Sequence, residues 1–455
     1  MCNQGTLEVR AMNLISFSIK TKGMHNFARR LWTVFTRFGI TERQTRKALH
    51  AIIDSLRAYN AAPTFFIPAV VLNRQPALIA EISGLGAEVG VHGYVHNDYR
   101  TLNAAEQYRQ TEHAISVFRR THIPHQGFRN PYLGWTEESL HVFEALGFLY
   151  ESNEAVIHDV VDLDNLPVVL RSGYEKSLAL FQAIPCSAYS LRPHFEGKLL
   201  RIPTSIPDDE MLFDRLRMDA DEVGRTWSQV MQRVYDLGGL YTLNLHPERG
   251  LLCRQALGVL LSHASSRPLP VWKARLQDVA RWWEERRQFR MSITSVAPHR
   301  WRVEIACSPR ATLLARHLTI EDQPESAWFG ADKRISFQAH SFVVHAERCP
   351  SIGLSPDTPE QVADFLHEQG YPTTYCGQED APLYALYLDI PDWSGASRER
   401  QREQRSRLLA QIEHLEAPLL HFGCWPEGNR AALAISGDID SVTIQDFFLR
   451  ILEVH

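Results

Sequence analysis

No stretch of eighteen or more uncharged apolar residues occurs in this 455-residue chain, which excludes an ordinary membrane-spanning helix. There is no basic cluster either. Lys and Arg are scattered and the formal net charge is -5, so the electrostatic footprint of a nucleic-acid-binding protein is missing. Cysteine is sparse: Cys2, Cys186, Cys253, Cys307, Cys349, Cys376 and Cys424 are odd in number, widely spaced and form no Cys-x-x-Cys. That pattern excludes a disulfide framework and a cysteine metal knuckle. Met1-Cys2-Asn3-Gln4-Gly5 shows no basic start followed by an apolar run, and a cytoplasmic location is the expectation. Tandem repeats of solenoid period and low-complexity segments are absent as well. What is present, 44% hydrophobic and 22% charged residues, is ordinary globular composition with length for two or three domains.

Apolar periodicity divides the chain. Residues 12–20 predict a strand, followed by helices over 24–38 and 42–59, the second with Leu49, Ile52, Ile53 and Leu56 on one face. Residues 63–68 predict a strand, 76–83 a helix, and Ala87-Glu88-Val89-Gly90-Val91 a buried strand that delivers His92. A helix over 103–120, a strand over 125–129, a helix capped by Thr136 and a strand over 147–152 continue the pattern. The section 157–210 reads as irregular apart from a strand at 199–203. A helix over 222–236, a buried strand over 239–247 and a helix over 273–287 complete the unit. Such alternation predicts an α/β fold with parallel strands inside and helices outside, a complete or partial (β/α) barrel with reactive residues at strand ends. From about 289 short alternating strands follow, at 290–294, 301–306, 317–320 and 335–345. Next come a helix at 358–368, strands at 371–375 and 383–389, and an Arg/Glu-rich helix at 397–415, whose charge run 398–407 is most simply a solvated face.

Three motifs stand where strands end. In His92-Gly93-Tyr94-Val95-His96 two imidazoles lie four positions apart; on a helical turn both would face one cation of the zinc type, at about 2.0–2.1 Å. Taken alone, such a pair is more often two surface or capping histidines than a pair of ligands. The other motifs are Phe128-Arg129-Asn130-Pro131-Tyr132 and Leu245-His246-Pro247. Each has a plain alternative: Arg129 as a surface charge, Tyr132 as a packing aromatic, His246 as a satisfied strand-end histidine.

In this order and at these strand ends, the motifs resemble those of polysaccharide deacetylases of the NodB-homology type, carbohydrate esterase family 4, across residues 12–285. Thr64-Phe65-Phe66 and Gly147-Phe148-Leu149-Tyr150-Glu151-Ser152 also look like framework segments of that family. The resemblance implies a distorted (β/α) barrel of the NodB-homology type with an additional small β-rich/α+β domain. It further implies His92 and His96 as metal ligands, Arg129 orienting the catalytic base, Tyr132 at the oxyanion site and His246 as general acid.

The family's first motif departs from this pattern. It needs two aspartates at the end of the opening strand, where this chain reads Ile15-Ser16-Phe17-Ser18-Ile19-Lys20. A lysine ammonium 4 Å from a dication would meet a repulsion of about 8 kcal/mol at an effective dielectric near 20. The acids recur far downstream: Ile435-Ser436-Gly437-Asp438-Ile439-Asp440 matches Ile15 to Lys20 position by position, and Trp425-Pro426-Glu427-Gly428 resembles the lead-in to the family's first strand. The expectation is that a strand over 429–441 and a helix over 443–454 return to the barrel of this chain or a neighbouring copy. Asp438 would then serve as base and Asp440 as third metal ligand. The alternative is a surface turn capping the last helix.

Three divisions follow: a NodB-like barrel over 1–288, a β-rich then α/β accessory domain over 289–425, and a strand-helix tail over 426–455. The implied function is metal-dependent hydrolysis of an N-acyl group, most simply acetyl, from an intracellular amino sugar or glycosylated small molecule. A divalent ion, Zn2+, is the implied cofactor. The expected partner is a small-molecule or sugar-containing substrate, with neither nucleic acid nor a membrane span, and with a homo-oligomer if the tail is exchanged between chains. Other classes stay open: a catalytically inactive deacetylase-like barrel used for binding or as a scaffold, a deformylase, and an O-acyl esterase. Tyr94, Tyr99 and Trp135 are candidate rim aromatics for a sugar ring.

Overall fold

The computed structural model describes residues 37–337, 340–393 and 396–454. The strand expected over 12–20, including Lys20, and all but the end of the helix expected over 24–38 lie outside the described residues.

The first half alternates. In chain order it forms α1 (Arg43–Arg57), β1 (Thr64–Ile67), α2 (Ala69–Arg74), α3 (Pro76–Gly84), β2 (Glu88–Val91), α4 (Ala104–Arg120), β3 (Gly127–Phe128), α5 (Glu137–Ala145) and β4 (Tyr150–Glu151). There follow β5 (Ala155–Ile157), α6 (Val168–Phe181), β6 (Ile184–Pro185), β7 (His194–Glu196), β8 (Leu199–Arg201) and β9 (Thr204–Ile206). The last group is α7 (Ala220–Leu237), β10 (Leu240–Leu245), α8 (Gly250–Ser265), β11 (Val271–Lys273) and α9 (Leu276–Arg286). Local chemistry sets several helix starts. Asn103 with Glu106, Thr136 with Ser139, and Asp219 with Glu222 form reciprocal caps that satisfy otherwise orphaned N–H groups.

Two of these helices differ from the expectation. Of α6 only Tyr174 and Ser177 are buried, while Val168 and Val169 are 82% and 76% exposed, so the section read as irregular has no apolar stripe to announce it. In α8, exposed Leu251 and Leu252 blur the period of the buried residues Cys253, Ala256, Leu257, Leu260 and Leu261.

These strands join a curled, almost wholly parallel sheet whose centre comes from the far end of the chain. The C-terminal strand Ala431–Asp438 pairs in parallel with β1 from Thr64↔Ser436 to Phe66↔Asp438. On its other side it pairs with β10 from Leu240↔Ala432 to Leu245↔Gly437, and β11 joins at Val271↔Ala431. All eight of its residues are buried. The two-residue period of a strand then sorts them. Ala431, Leu433 and Ile435 pack into the cluster shared with the outer helices, while Ala432 and Ala434 face the opposite cluster with Phe66, Tyr150 and Leu240. Ser436 and Asp438 share that second face by the same period. At Gly437 an added Cβ would stand 2.9 Å from the Leu245 carbonyl and 2.7 Å from Pro247, so glycine is what permits this approach.

Residues 289–425 build three smaller sheets. One antiparallel sheet orders Arg290–Ala297, Arg300–Ala306, Ser341–His345 and Thr319–Ile320; a second orders Glu325–Ala327, Asp332–Ile335, Leu313–Arg316 and Leu419–Phe422. The single strand expected over 335–345 is therefore two strands in two sheets. Ile335 pairs with Leu313 and Phe342 with Val303, a change of partner that an apolar run does not reveal. A three-stranded parallel sheet of Thr373–Tyr375, Cys349–Leu354 and Tyr384–Leu388 packs with α10 (Glu360–Glu368) and α11 (Arg398–Glu413). Fully buried Trp425 ties this region to the barrel: its ring lies 5.1 Å from Trp283 and 6.1 Å from Trp272, and its indole N–H donates to the Gly238 carbonyl. The chain ends in α12 (Ile444–Glu453), capped by Thr443 and Asp446.

Because Ile435 is 2% exposed at the centre of the sheet, Ile435→Ala is expected to cost about 2–5 kcal/mol. Urea denaturation of the full chain reads this as a lower midpoint at unchanged slope.

Candidate functional site

β2 ends at Val91, and the His92 N–H carries the ladder one step further by donating to the Ile67 carbonyl at 3.0 Å. Gly93, at φ +79°, then turns the chain back. The segment is a loop and not the helical turn expected, because that left-handed position ends the strand without starting a helix. The loop still brings the rings of His92 and His96 together, with centroids 5.3 Å apart. Nδ1 of His92 donates to the Arg129 carbonyl at 2.8 Å, so Nε2 carries the lone pair.

Asp440 stands against both imidazoles. Its Oδ1 lies 3.5 Å from Nε2 of His92 and its Oδ2 lies 3.3 Å from Nε2 of His96. One ligand atom from each of the three residues lies within 4.8 Å of the others. Oδ1 of Asp440 is buried and accepts no hydrogen bond among the described residues. Two imidazoles and one carboxylate with an unsatisfied oxygen are a donor set that suits a divalent ion of the zinc type. The residues present fit such an ion. Burial pushes the His96 pKa down, which keeps the ring in the neutral form a ligand requires. Burial acts upward on Asp440, but His96 and Arg450 outweigh it and hold the carboxyl well below the usual carboxylate range. Arg450, from α12, donates to Oδ2 of Asp440 at 2.5 Å.

Behind this trio sits Arg129, fully buried and stacked 4.4 Å from the Phe66 ring centroid. It is not a surface charge. Nη1 donates to Asn244 Oδ1 at 2.6 Å, to Ser436 Oγ at 3.0 Å and to Asp438 Oδ1 at 3.2 Å, while Nε donates to the Ser152 carbonyl. Asp438 is 8% exposed, and its other oxygen accepts from Asn244 Nδ2 at 3.0 Å. One wall of the site is therefore a connected network of charge-assisted hydrogen bonds.

Tyr132 has φ +59° and packs its ring edge 4.6 Å from His96, with 38% of the residue exposed. On the opposite side β10 delivers His246. Its Nδ1 bonds Asp209 Oδ1 at 2.8 Å, and Glu210 lies 3.7 Å from its Nε2. Burial acts to lower the His246 pKa, but the Asp209 carboxylate outweighs it and raises the value well above the ordinary imidazole range. His92, His96, Tyr132, His246, Asp438 and Asp440 all line one cavity of about 280 Å³, and Arg129 bonds Asp438 from behind it.

Other residues were not singled out beforehand. Asn244 lies two positions before His246, so strand period alone puts the two on one face; Asp209 follows Pro207-Asp208 at the start of the π-helical segment Glu210–Arg215. Arg450 reaches Asp440 from a helix whose spacing gives no hint of it. The candidate rim aromatics are packing groups: Tyr99 is fully buried against Thr111, Tyr94 stacks on His113 at 3.9 Å, and Trp135 lies beneath the Arg201 guanidinium at 4.1 Å. Asp98 is engaged by Arg100 through backbone and side chain.

Residues 41–150 match the family model for polysaccharide deacetylase. Over this stretch the chain is similar to the polysaccharide deacetylase family. The stretch holds His92, His96, Arg129 and Tyr132, whereas His246, Asp438 and Asp440 lie outside the matched residues. Among solved structures, a probable polysaccharide deacetylase from Pseudomonas aeruginosa PAO1 is 20% identical over 52% of this chain and 72% of its own, with a TM-score of 0.41. A CE4 family pseudoenzyme from Bacillus anthracis is 14% identical over 52% and 61%, at 0.33. A family 4 carbohydrate esterase from Streptomyces lividans, in complex with acetate, is 13% identical over 48% and 81%, at 0.30. No curated protein matches the chain.

The His246–Asp209 pair yields a pH prediction. A folded-state pKa above the unfolded one gives stability that is complete below about 6.5 and is lost as pH rises through the folded value. Asp209→Asn removes the ionic partner. The His246 ring proton resonances are then expected to titrate at lower pH than in the parent.

Proposed function

We propose that the barrel is a divalent-metal-dependent hydrolase that removes an N-acyl group, acetyl in the simplest case, from an amino sugar or glycosylated small molecule. The observation that carries this reading is the grouping of Asp440 with the Nε2 atoms of His92 and His96 beside a second buried acid, Asp438. The polysaccharide deacetylase match supports a hydrolase acting on non-peptide C–N or ester bonds.

In this reading His92, His96 and Asp440 hold the ion. When bound, such an ion supplies Lewis acidity and lowers the pKa of water toward neutrality. Asp438 takes the proton from the attacking water, and its aim is set by Arg129 on one oxygen and Asn244 on the other. The Tyr132 backbone N–H donates to the acyl oxygen as negative charge develops there. His246, kept protonated by Asp209, gives its proton to the nitrogen of the leaving amine. The C–N bond breaks, and the products are a carboxylate and an amine.

Arg450 favours a second reading, a deacetylase-like barrel that binds without catalysis. Its guanidinium bonds Asp440 directly, and at about 4 Å a unit charge opposes a dication by about 8 kcal/mol at an effective dielectric near 20.

Metal analysis of freshly purified protein separates the two. The hydrolase carries about one zinc-type ion per chain, lost in Asp440→Ala and in His92→Ala; absence of metal from the parent protein sinks the proposal. On a panel of N-acetylated sugars, glycosides and O-acetyl esters, Asp438→Asn and His246→Ala are each expected to lower kcat by about 100- to 10,000-fold. Hydrolysis confined to the esters would reassign the reaction to an O-acyl esterase.

A further inference from the structure

The Arg/Glu-rich helix α11 is not simply a solvated face. Arg398 pairs with Glu137 and Glu196, and Arg402 with Glu154. Arg405 differs from both. It is 9% exposed, and among the described residues no acid lies within ion-pair distance and no group forms a hydrogen bond with its guanidinium. Its side chain lines a cleft of about 530 Å³ between the β7 strand of the barrel and helices α10 and α11.

Three acids line the cleft with it: Glu196, Asp364 and Glu368. Glu196 pairs with Arg201 at 3.2 Å and with Arg398. Glu368, 5% exposed, accepts from the Phe195 N–H at 3.1 Å, and burial pushes its carboxyl up to about 8, so near neutral pH it contributes little negative charge. Arg405 therefore lines the cleft with no ion-pair or hydrogen-bond partner among the described residues, and Glu196 and Glu368 act on it only through space. Arg287 stands on another wall, 4.3 Å over the Phe195 ring and with 43% of its side chain exposed. The cleft volume lies in the range of small-molecule sites.

We propose that this cleft is a binding site for a small anionic ligand, a phosphate or carboxylate group held between Arg405 and Arg287. The site is separate from the cavity around His92 and Asp440 and does not depend on the reaction assigned there. Arg405 offers the planar fork of donors that suits such oxygens.

Thermal denaturation of the full chain tests it, with inorganic phosphate and citrate as probes at matched ionic strength. A saturable rise in melting temperature is expected with at least one probe. It persists in Asp440→Ala, which separates this cleft from the hydrolytic site. Arg405→Met weakens the response at least tenfold and, without anion, melts no lower than the parent because a buried charge without an ion-pair partner has gone. A response to phosphate alone assigns a phosphoryl ligand, and a response to citrate alone a carboxylate. Should Arg405→Met fail to fold, Arg287→Ala on the exposed wall decides, with a loss of several-fold in affinity expected. No saturable response to either probe, or a response that the arginine variant leaves unchanged, overturns the proposal.

Discussion

Parallel pairing of Ala431–Asp438 with β1 on one side and β10 on the other is the interaction on which the rest of the structure depends. Those neighbours, Thr64–Ile67 and Leu240–Leu245, come far earlier in the chain, and no other described strand stands between them in the sheet. The pairing satisfies backbone groups on both sides of the C-terminal strand, where unpaired buried N–H and C=O groups would be costly. It also sets the register that sends Leu433 and Ile435 toward the helices and Ala432 and Ala434 toward the other face. A slip of one residue would exchange those faces and turn Asp438 away from Arg129.

Arg129 converts that register into a rigid site. A guanidinium with no solvent exposure is tolerable only if its donors are met, and the partners come from β10, the C-terminal strand and the segment after β4. Asp438 thus has no freedom to rotate independently of three elements. His246 stands under a similar constraint: both its ring and its backbone N–H address the same oxygen of Asp209. The two sides of the cavity are consequently held by separate networks, one centred on a buried cation and the other on a buried anion.

The barrel half was legible in the sequence because its strands are short buried runs punctuated by capped helices, as at Asn103, Thr136 and Asp219. What could not be read was where periodicity fails as a signal. α6 buries too little to show a stripe, exposed leucines blur α8, and the run through 335–345 passes between sheets without any change of composition. Within the site, the motif residues could be named because each follows a strand end. The agreement of residues 435–440 with 15–20 pointed to the acids, although Lys20 and its strand lie outside the described residues. Asn244 was within reach of a period-two argument from His246. Arg450 and the isolation of Arg405 depend on which helix faces which surface, and that is tertiary information.

A sheet whose middle strand is encoded some 190 residues after its neighbour β10 stays unfinished while those residues are made. At about 5–20 residues per second, the roughly 190 residues between Leu245 and Asp438 take on the order of ten to forty seconds to synthesise. Throughout that interval the facing edges of β1 and β10 have no partner among the described strands, and an unpaired edge with apolar side chains behind it is the kind of surface that recruits strands from other molecules. The nascent protein is therefore a natural client for holding chaperones, and ribosomal stalling or premature termination before residue 438 would release a sticky, half-closed product.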